Sequence, residues 1–474
     1  MGIDVTSFYM YRWRYKIGYA IIGLFLVGML LFAGLYAPGG ISHNEVNTVV
    51  KSANISLGNI DSYAVTNLPF HLLQRASLHL FGVSDFSIKL PSLLLAALSA
   101  IALVFLLKRW FKRNIAILGS IIAVTTGQFL FIAQSGTADI LYIFWPVCLL
   151  LLGTLIARRE QPRTLWKTLF FITLSLSLYT PLIIYAIIAL AAAVMLHPHL
   201  RFIIRQLSRL RLLAGFIIGA LALIPLIYGI IKSPETALTI LGIPAHWPNL
   251  AANMPVLWQQ YLGFTTPSTT LLMTPVFGLG SMLIIAFGLY RLIKTLASTQ
   301  SHVILIWLIC LIPIVITNPL FTSVTFLPFV LLLCTGLDRL LSNWYSIFPR
   351  NPYARFVGLI PLAILVGALV FSGLERYSYG YHYDPYTVAN FTRDLSLMPK
   401  GTANLVVAPG QLPFYNVVAK YNKNVQVGVA PTSNTFVATH EAKGDYAGYT
   451  IQRIVTSDTT NNADRFYLYK KTAQ

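Results

Sequence analysis

Two acidic side chains stand where a membrane-edge reaction could use them. Glu45 closes the run Ser42-His43-Asn44-Glu45, which directly follows an apolar segment. Asp139 follows the short stretch Ser135-Gly136-Thr137-Ala138 and opens another apolar segment. Glu45, close to the outer end of the first span, is the better candidate for a base, because partial desolvation at the rim of the hydrocarbon layer suits a carboxylate to take a proton from an attacking hydroxyl. Asp139 at its depth calls instead for a cavity, a cation or a partner. Each position also has a structural reading. Ser42-x-x-Glu45 ahead of Val46, Val49 and Val50 is a capping-box pattern opening an amphipathic helix, and an acid in a first helical turn favours the helix dipole.

The segment between them adds cations. Pro69 and Gly82 bracket a predicted interfacial helix from Leu68 to Leu80. His71, Arg75 and His79 recur every four residues on one face, with Leu72, Leu73, Ala76 and Leu80 toward the other. Such a face could hold a lipid phosphate or simply meet headgroups. A later loop, Lys232 to Thr266, carries His246 and Trp247 between two prolines, and Trp258; aromatics at this level commonly anchor the interface. No metal-ligand spacing of recognisable type occurs.

The elements that must position these residues are membrane helices. With 56% hydrophobic residues and only 10% charged among 474, the chain is not an ordinary soluble globule. Apolar runs predict eleven spans: 17–36, 87–107, 114–132, 139–157, 165–178, 181–196, 212–231, 268–290, 302–317, 320–337 and 356–374. The split at Tyr179-Thr180-Pro181 follows from basic clusters on both sides of that pair, which require an even number of crossings. The net charge of +19 then reports orientation and not nucleic acid. Lys and Arg gather in the loops this topology puts inside, and the outer loops hold only Lys51, Arg75, Lys89 and Lys232. The expected arrangement is a multi-pass plasma-membrane protein with its N-terminus cytoplasmic and its C-terminus extracytoplasmic. The three cysteines all fall within spans, so no disulfide framework is implied. The sequons at Asn54 and Asn390 face outward in this arrangement and carry little weight.

Beyond Leu374 the composition changes. Residues 1–374 form the expected membrane domain, with a long first outer loop at 37–86, and residues 375–474 a small α/β domain on the outer surface. Its expected elements are a helix over 385–397 and strands near 404–408, 425–429, 435–439 and 465–469. No internal repeat of the transporter type is visible.

At these residues the chain resembles the GT-C superfamily of glycosyltransferases that use polyprenyl-phosphate sugars. The likeness is to the family 39 enzymes related to protein O-mannosyltransferase and the lipid A aminoarabinose transferase. The pieces that carry it are Asn44-Glu45 after the first span, Asn67-Leu68-Pro69, the run Leu80-Phe81-Gly82 to Ile88-Lys89-Leu90-Pro91-Ser92, and Asp139 opening a span. Leu178-Tyr179-Thr180-Pro181 and Thr325-Phe326-Leu327-Pro328 to Gly336-Leu337 continue the match. It departs in three places: Asn44 stands where the family usually has Asp, Asn67 replaces a frequent Lys, and Lys89 replaces Arg.

The resemblance implies an about eleven-helix GT-C membrane domain and an inverting hexosyl- or pentosyltransferase. A polyprenyl-phosphate-linked sugar would be the donor, and a glycan, lipid or protein hydroxyl the acceptor. It implies Glu45 and Asp139 as catalytic carboxylates, and Asn44, Lys51, His71, Arg75, Lys89, Tyr179 and His246 as substrate-binding residues. A divalent metal ion bridging Asp139 and the phosphate is compatible with it, though no ligand spacing supports one. Two other readings stand beside it: a lipid or sugar transporter or flippase, and an inactive GT-C-like scaffold. The concentration of acids at outer helix ends argues against the transporter, whose polar groups would lie at mid-membrane.

Overall fold

The computed structural model describes residues 23–28, 30–31, 40–56, 60–158, 160–206, 209–264, 276–296, 298–347, 359–383, 395–422, 425–456 and 464–472, with a few isolated positions between. Most of the expected first span, the second sequon and most of the expected helix over 385–397 lie outside these residues.

The polar-start, apolar-body pattern of the first loop gives two short helices before the bundle begins. Helix α1 (His43–Asn54) is capped by Ser42, and α2 (Leu68–Phe81) begins with Pro69 in its first turn and ends at Gly82, whose φ of 71° is open to glycine. Among the described residues six apolar stretches are long enough to cross a membrane: 85–110, 138–157, 213–232, 299–317, 322–347 and 360–379. They lie in α3 (Asp85–Trp110), α6 (Leu141–Ala157), α10 (Arg209–Lys232), α14 (Thr299–Thr317), α15 (Phe326–Ile347) and α16 (Leu359–Tyr383). Counting each bent pair as one span gives up to eight. The shorter apolar α7 (Arg163–Ser177) and the helix α13 (Leu279–Lys294) pack within the same bundle.

One expected straight span is broken, and another ends in a sharp turn. The run over 114–132 is two helices, α4 (Arg113–Val124) and α5 (Gly127–Gln134), bent by 59° at Thr125-Thr126. Both threonine hydroxyls donate to carbonyls of the preceding turn, and Thr126 also caps α5, so the side chains take over backbone bonding at the break. The run over 181–196 is α8 (Ile183–Leu196), followed after a 93° turn by α9 (Pro198–Arg205), where the His197-Pro198 step stops the helix. The composition break at Glu375 falls inside α16, which continues to Tyr383.

One end of the bundle collects ion pairs between helix ends, Arg109 with Glu160 at 2.8 Å and Arg291 with Asp338 at 2.8 Å. The opposite end carries the first loop. There Asp61 meets Lys232 at 2.6 Å and accepts the Tyr228 hydroxyl at 2.7 Å, and both partners hold its carboxyl below the usual range. That pair ties the first loop to the far end of α10.

The C-terminal residues form a five-stranded sheet in the order β2-β1-β3-β5-β4, from β1 (Asn404–Val406), β2 (Gln426–Gly428), β3 (Thr435–Thr439), β4 (Tyr449–Thr456) and β5 (Asp464–Lys471). β1 runs parallel to β2 and β3, and β5 antiparallel to β3 and β4. Strand β4 and helix α17 (Leu412–Tyr421) were not foreseen from sequence; β4 is largely exposed and lacks clean alternation. The sheet and α17 share one hydrophobic core with the first loop, where Val46, Val49, Leu78 and Ile88 pack with Phe414, Tyr415, Val418 and Phe466. The small domain therefore sits directly on the helices that carry Glu45 and His71.

Candidate functional site

The site is built around the loop from Ser135 to Asp139. Three residues from three helices hold it. Glu45 on α1 is fully buried, with 0% of its surface exposed. Its Oε2 accepts the Ser42 N–H at 2.7 Å, completing the capping box, and its Oε1 accepts the Gly136 N–H at 2.6 Å. Gln74 on α2 donates to the Gly136 carbonyl at 3.0 Å and to the Ile88 carbonyl at 3.1 Å. Ser92 on α3 donates to the Thr137 carbonyl at 3.1 Å. Both polar groups of Gly136 are thereby satisfied by side chains distant in sequence.

Gly136 is required by space as well. A Cβ there would lie 2.6 Å from Ile88 Cγ2, 3.0 Å from Ile88 O and 3.2 Å from Glu45 Oε1. Only glycine lets the loop approach α1 and α3 this closely.

The held loop presents Asp139. Thr137 donates its hydroxyl to Asp139 Oδ2 at 2.8 Å, so Ser135, 2.9 Å from Thr137 Oγ1, must donate to Thr137 in turn. Asp139 sits in a 3-10 turn over Ala138–Ile140 that leads into α6, and its side chain is exposed while Gly136, Thr137 and Ile140 are buried. The two expected carboxylates thus share one structural unit with opposite accessibility: Glu45 is sealed and fully engaged, and Asp139 is open.

A second buried network braces α2. Ser52 Oγ lies 2.8 Å from His71 Nδ1 and donates to Gln74 Oε1 at 2.6 Å, so His71 supplies the Nδ1–H in this arrangement. Burial, reinforced by the Lys51 charge, pushes the His71 imidazole down to about 4. Proline 91 supplies no N–H to the Ser87 carbonyl one turn back, and Ser77 of α2 donates there instead at 2.7 Å.

The predicted faces of α2 are both present, with directions that sequence left open. His71, Gln74, Ser77 and Leu78 point into the protein, whereas Leu73 and Leu80 are 48% and 77% exposed. His71, 4% exposed, braces α2 from inside this network, away from the surface that the expected substrate-binding role would use. Arg75 is half-buried, and His79 contacts the Tyr421 ring of α17 edge-on at 5.4 Å.

The other expected binding residues are dispersed. Asn44 and Lys51 are exposed on α1, and Lys89 is buried on α3. Tyr179 is 1% exposed and its hydroxyl donates to the Ala222 carbonyl at 2.8 Å, while Asn67 N–H donates to its carbonyl at 2.8 Å, so it serves as a packing strut and offers no binding surface. His246 is exposed on the loop between α11 (Glu235–Leu241) and α12 (Leu250–Leu262). Among the described residues no group of three or more His, Cys, Asp or Glu side chains gathers to hold a metal ion.

Gln74, Ser52, Ser92 and Gly136 escaped the sequence reading. A serine or glutamine on a mostly apolar helix gives no one-dimensional signal, though Gly136 between two hydroxyl residues in a short turn was a usable clue. Arg376 on α16 and Gln128 and Gln134 on α5 were also missed, each with a buried polar atom lacking a hydrogen-bond partner.

Residues 68–228 match a family model described as dolichyl-phosphate-mannose-protein mannosyltransferase. No curated protein matches the sequence significantly. Among solved structures, ArnT from Cupriavidus metallidurans in the apo state aligns over 97% of this chain and 99% of its own, with 15% identity and a TM-score of 0.54. The same protein bound to undecaprenyl phosphate aligns over 95% and 98%, with 12% identity and a TM-score of 0.52. The Archaeoglobus fulgidus oligosaccharyltransferase tethered with an acceptor peptide aligns over 86% of this chain and 64% of its own, with 14% identity and a TM-score of 0.54. With these glycosyltransferases the chain shares the GT-C fold.

Proposed function

We propose that the protein is a membrane glycosyltransferase that moves a sugar from a polyprenyl-phosphate donor to a hydroxyl acceptor at the outer face of the membrane. The observation that carries this reading is the exposed Asp139 carboxylate at the end of a loop clamped by Glu45, Gln74 and Ser92. The GT-C fold and the family match over residues 68–228 support it.

In this reading the acceptor oxygen attacks the anomeric carbon as the bond from that carbon to the phosphate oxygen breaks. The acceptor proton passes to the Asp139 carboxylate, and the polyprenyl phosphate departs as a stable anion that needs no strong general acid. A single displacement inverts the anomeric centre. Glu45 keeps the loop in place and leaves proton transfer to Asp139. That division follows from the substitution at position 44, where Asn cannot act as a carboxylate base, and from the engagement of both Glu45 oxygens.

The orientation belongs to the same reading: the Asp61 and Lys232 end of the bundle faces outward and the Arg109 and Glu160 end inward, in a multi-pass plasma-membrane protein. Residues 1–374 would form the membrane domain of about eleven helices. Residues 375–474 would form the outer domain, which rests on α1 and α2 and orients the acceptor.

The test is release of free polyprenyl phosphate from a panel of polyprenyl-phosphate sugars by the purified protein in proteoliposomes, with mass spectrometry of surface glycans, lipids and proteins to identify the acceptor. Asp139→Asn should keep the fold and lower release about 10²- to 10⁴-fold. Translocation of intact lipid-linked sugar without release would establish the transporter instead. Unchanged release by Asp139→Asn would remove Asp139 from the reaction.

A further inference from the structure

Helix α12 (Leu250–Leu262) reverses the pattern of a loop helix in water, which turns polar residues out and apolar residues in. Every exposed residue on it is apolar: Leu250, Met254, Pro255, Trp258 and Leu262, with two alanines between the first two. Leu250, Met254, Trp258 and Leu262 recur every four residues and so share one side of the helix. The polar side chains are used inward. Asn253 donates to the Ile316 and Thr317 carbonyls at the end of α14, at 2.9 and 3.0 Å. Gln260 is buried and its carbonyl accepts the Val276 N–H at 2.7 Å, while the Tyr261 hydroxyl lies 2.8 Å from Thr325 Oγ1.

The surrounding chain is uncharged. Between Glu235 and Arg291 there is no Asp, Glu, Lys or Arg. Trp258 is nonetheless 65% exposed, and Trp247, in the loop ahead of α12, 79%. This stretch leaves the membrane-length α10 at Lys232 and returns to the bundle in α13 at Leu279. α12 packs on the end of α14, whose own exposed side chains include Ile309 and Ile312. Its apolar side thus extends the surface that the spanning helices turn to lipid.

Length and bonding set the depth. The 13 residues of α12 rise about 20 Å, too little for a hydrocarbon core of about 30 Å. Pro255 supplies no N–H to the Ala251 carbonyl, and a carbonyl released in this way needs water or a headgroup within reach. Tryptophans on an uncharged apolar face suit the boundary between acyl chains and headgroups.

We propose that α12 is a membrane-surface helix that does not cross the bilayer, with its exposed side and Trp247 seated in the lipid leaflet on the side of the first loop. The Tyr261 and Thr325 contact then holds the turn over Thr322–Thr325 at that depth. This placement depends on membrane residence alone and stands apart from the donor chemistry.

The full-length protein is reconstituted in nanodiscs of phosphatidylcholine brominated either near the glycerol end of the acyl chains or at mid-chain. The difference in tryptophan emission between wild type and Trp258→Phe isolates Trp258 from the other tryptophans. Trp247→Phe gives the same comparison at a second position, which keeps the test decisive where the first variant misfolds. Each isolated component should be blue-shifted, should lose most of its intensity to lipid brominated near the glycerol end and less to mid-chain bromine, and should resist aqueous iodide. Quenching by iodide and not by brominated lipid puts the helix in water and overturns the proposal. Resistance to both quenchers means that protein, such as a second copy of the chain, covers the apolar side, and overturns it equally. Stronger quenching from mid-chain bromine puts the helix within the hydrocarbon core and overturns the surface position.

Discussion

Glu45 Oε1 accepts the Gly136 N–H at 2.6 Å across 91 residues of sequence, joining the first helix after the opening apolar segment to the loop that presents Asp139. The bond makes a buried carboxylate into a clamp, because its second oxygen is occupied by the N-cap N–H of its own helix.

Removing that clamp should cost stability before it costs chemistry. Glu45→Ala leaves the buried Gly136 N–H unpaired, a penalty of about 1–3 kcal/mol. Glu45→Gln keeps one acceptor oxygen and should lose less. Thermal unfolding in detergent measures both. In turnover assays the Gln variant should lower kcat while keeping the wild-type pH profile, and loss of the acidic limb would make Glu45 the base.

Gly136→Ala should be destabilising by about 1–3 kcal/mol through overpacking. The nearest obstacle is the Ile88 side chain, so Ile88→Ala in the same protein should return part of the loss. Additive losses in the double variant would mean that the Ile88 contact is not the obstacle.

His71 should make the protein acid-sensitive. Its folded-state value of about 4 lies below the ordinary 6.5, so between those limits the unfolded chain binds a proton that the native protein refuses. Stability is therefore full above about pH 6.5, falls as pH drops, and levels off below about pH 4, for a total on the order of 3 kcal/mol. Unfolding midpoints recorded across that range should show the slope in wild type and its reduction in His71→Asn.

Ser77 and Pro91 should couple. Ser77→Ala strips the Ser87 carbonyl of its donor, at about 1 kcal/mol, but Pro91→Ala would restore the intrahelical N–H to the same oxygen. A double-mutant cycle should show the loss from Ser77→Ala shrinking in the Pro91→Ala background.

Much of this organisation is one-dimensional. Apolar length marked the membrane helices from Ser87 onward, because a bilayer core sets a minimum run of side chains whatever surrounds it. The Ser42-x-x-Glu45 box and the Pro69 to Gly82 boundaries of α2 were legible because caps and breakers act within a few residues. Strand β4 and the bend at Thr125-Thr126 were not, since an exposed edge strand lacks alternation and a bend between apolar helices leaves hydropathy unchanged.

The sequence by itself determined which acids stand at helix ends and that α2 has two unlike faces. Only the tertiary structure decided that the His71 face turns inward, that Glu45 is consumed in bonding while Asp139 stays open, and that Gly136 is read at both its N–H and its carbonyl. Those outcomes depend on which helices meet. Hydrogen-bond partners 62 and 91 residues apart are chosen by packing, which local residue preferences do not encode.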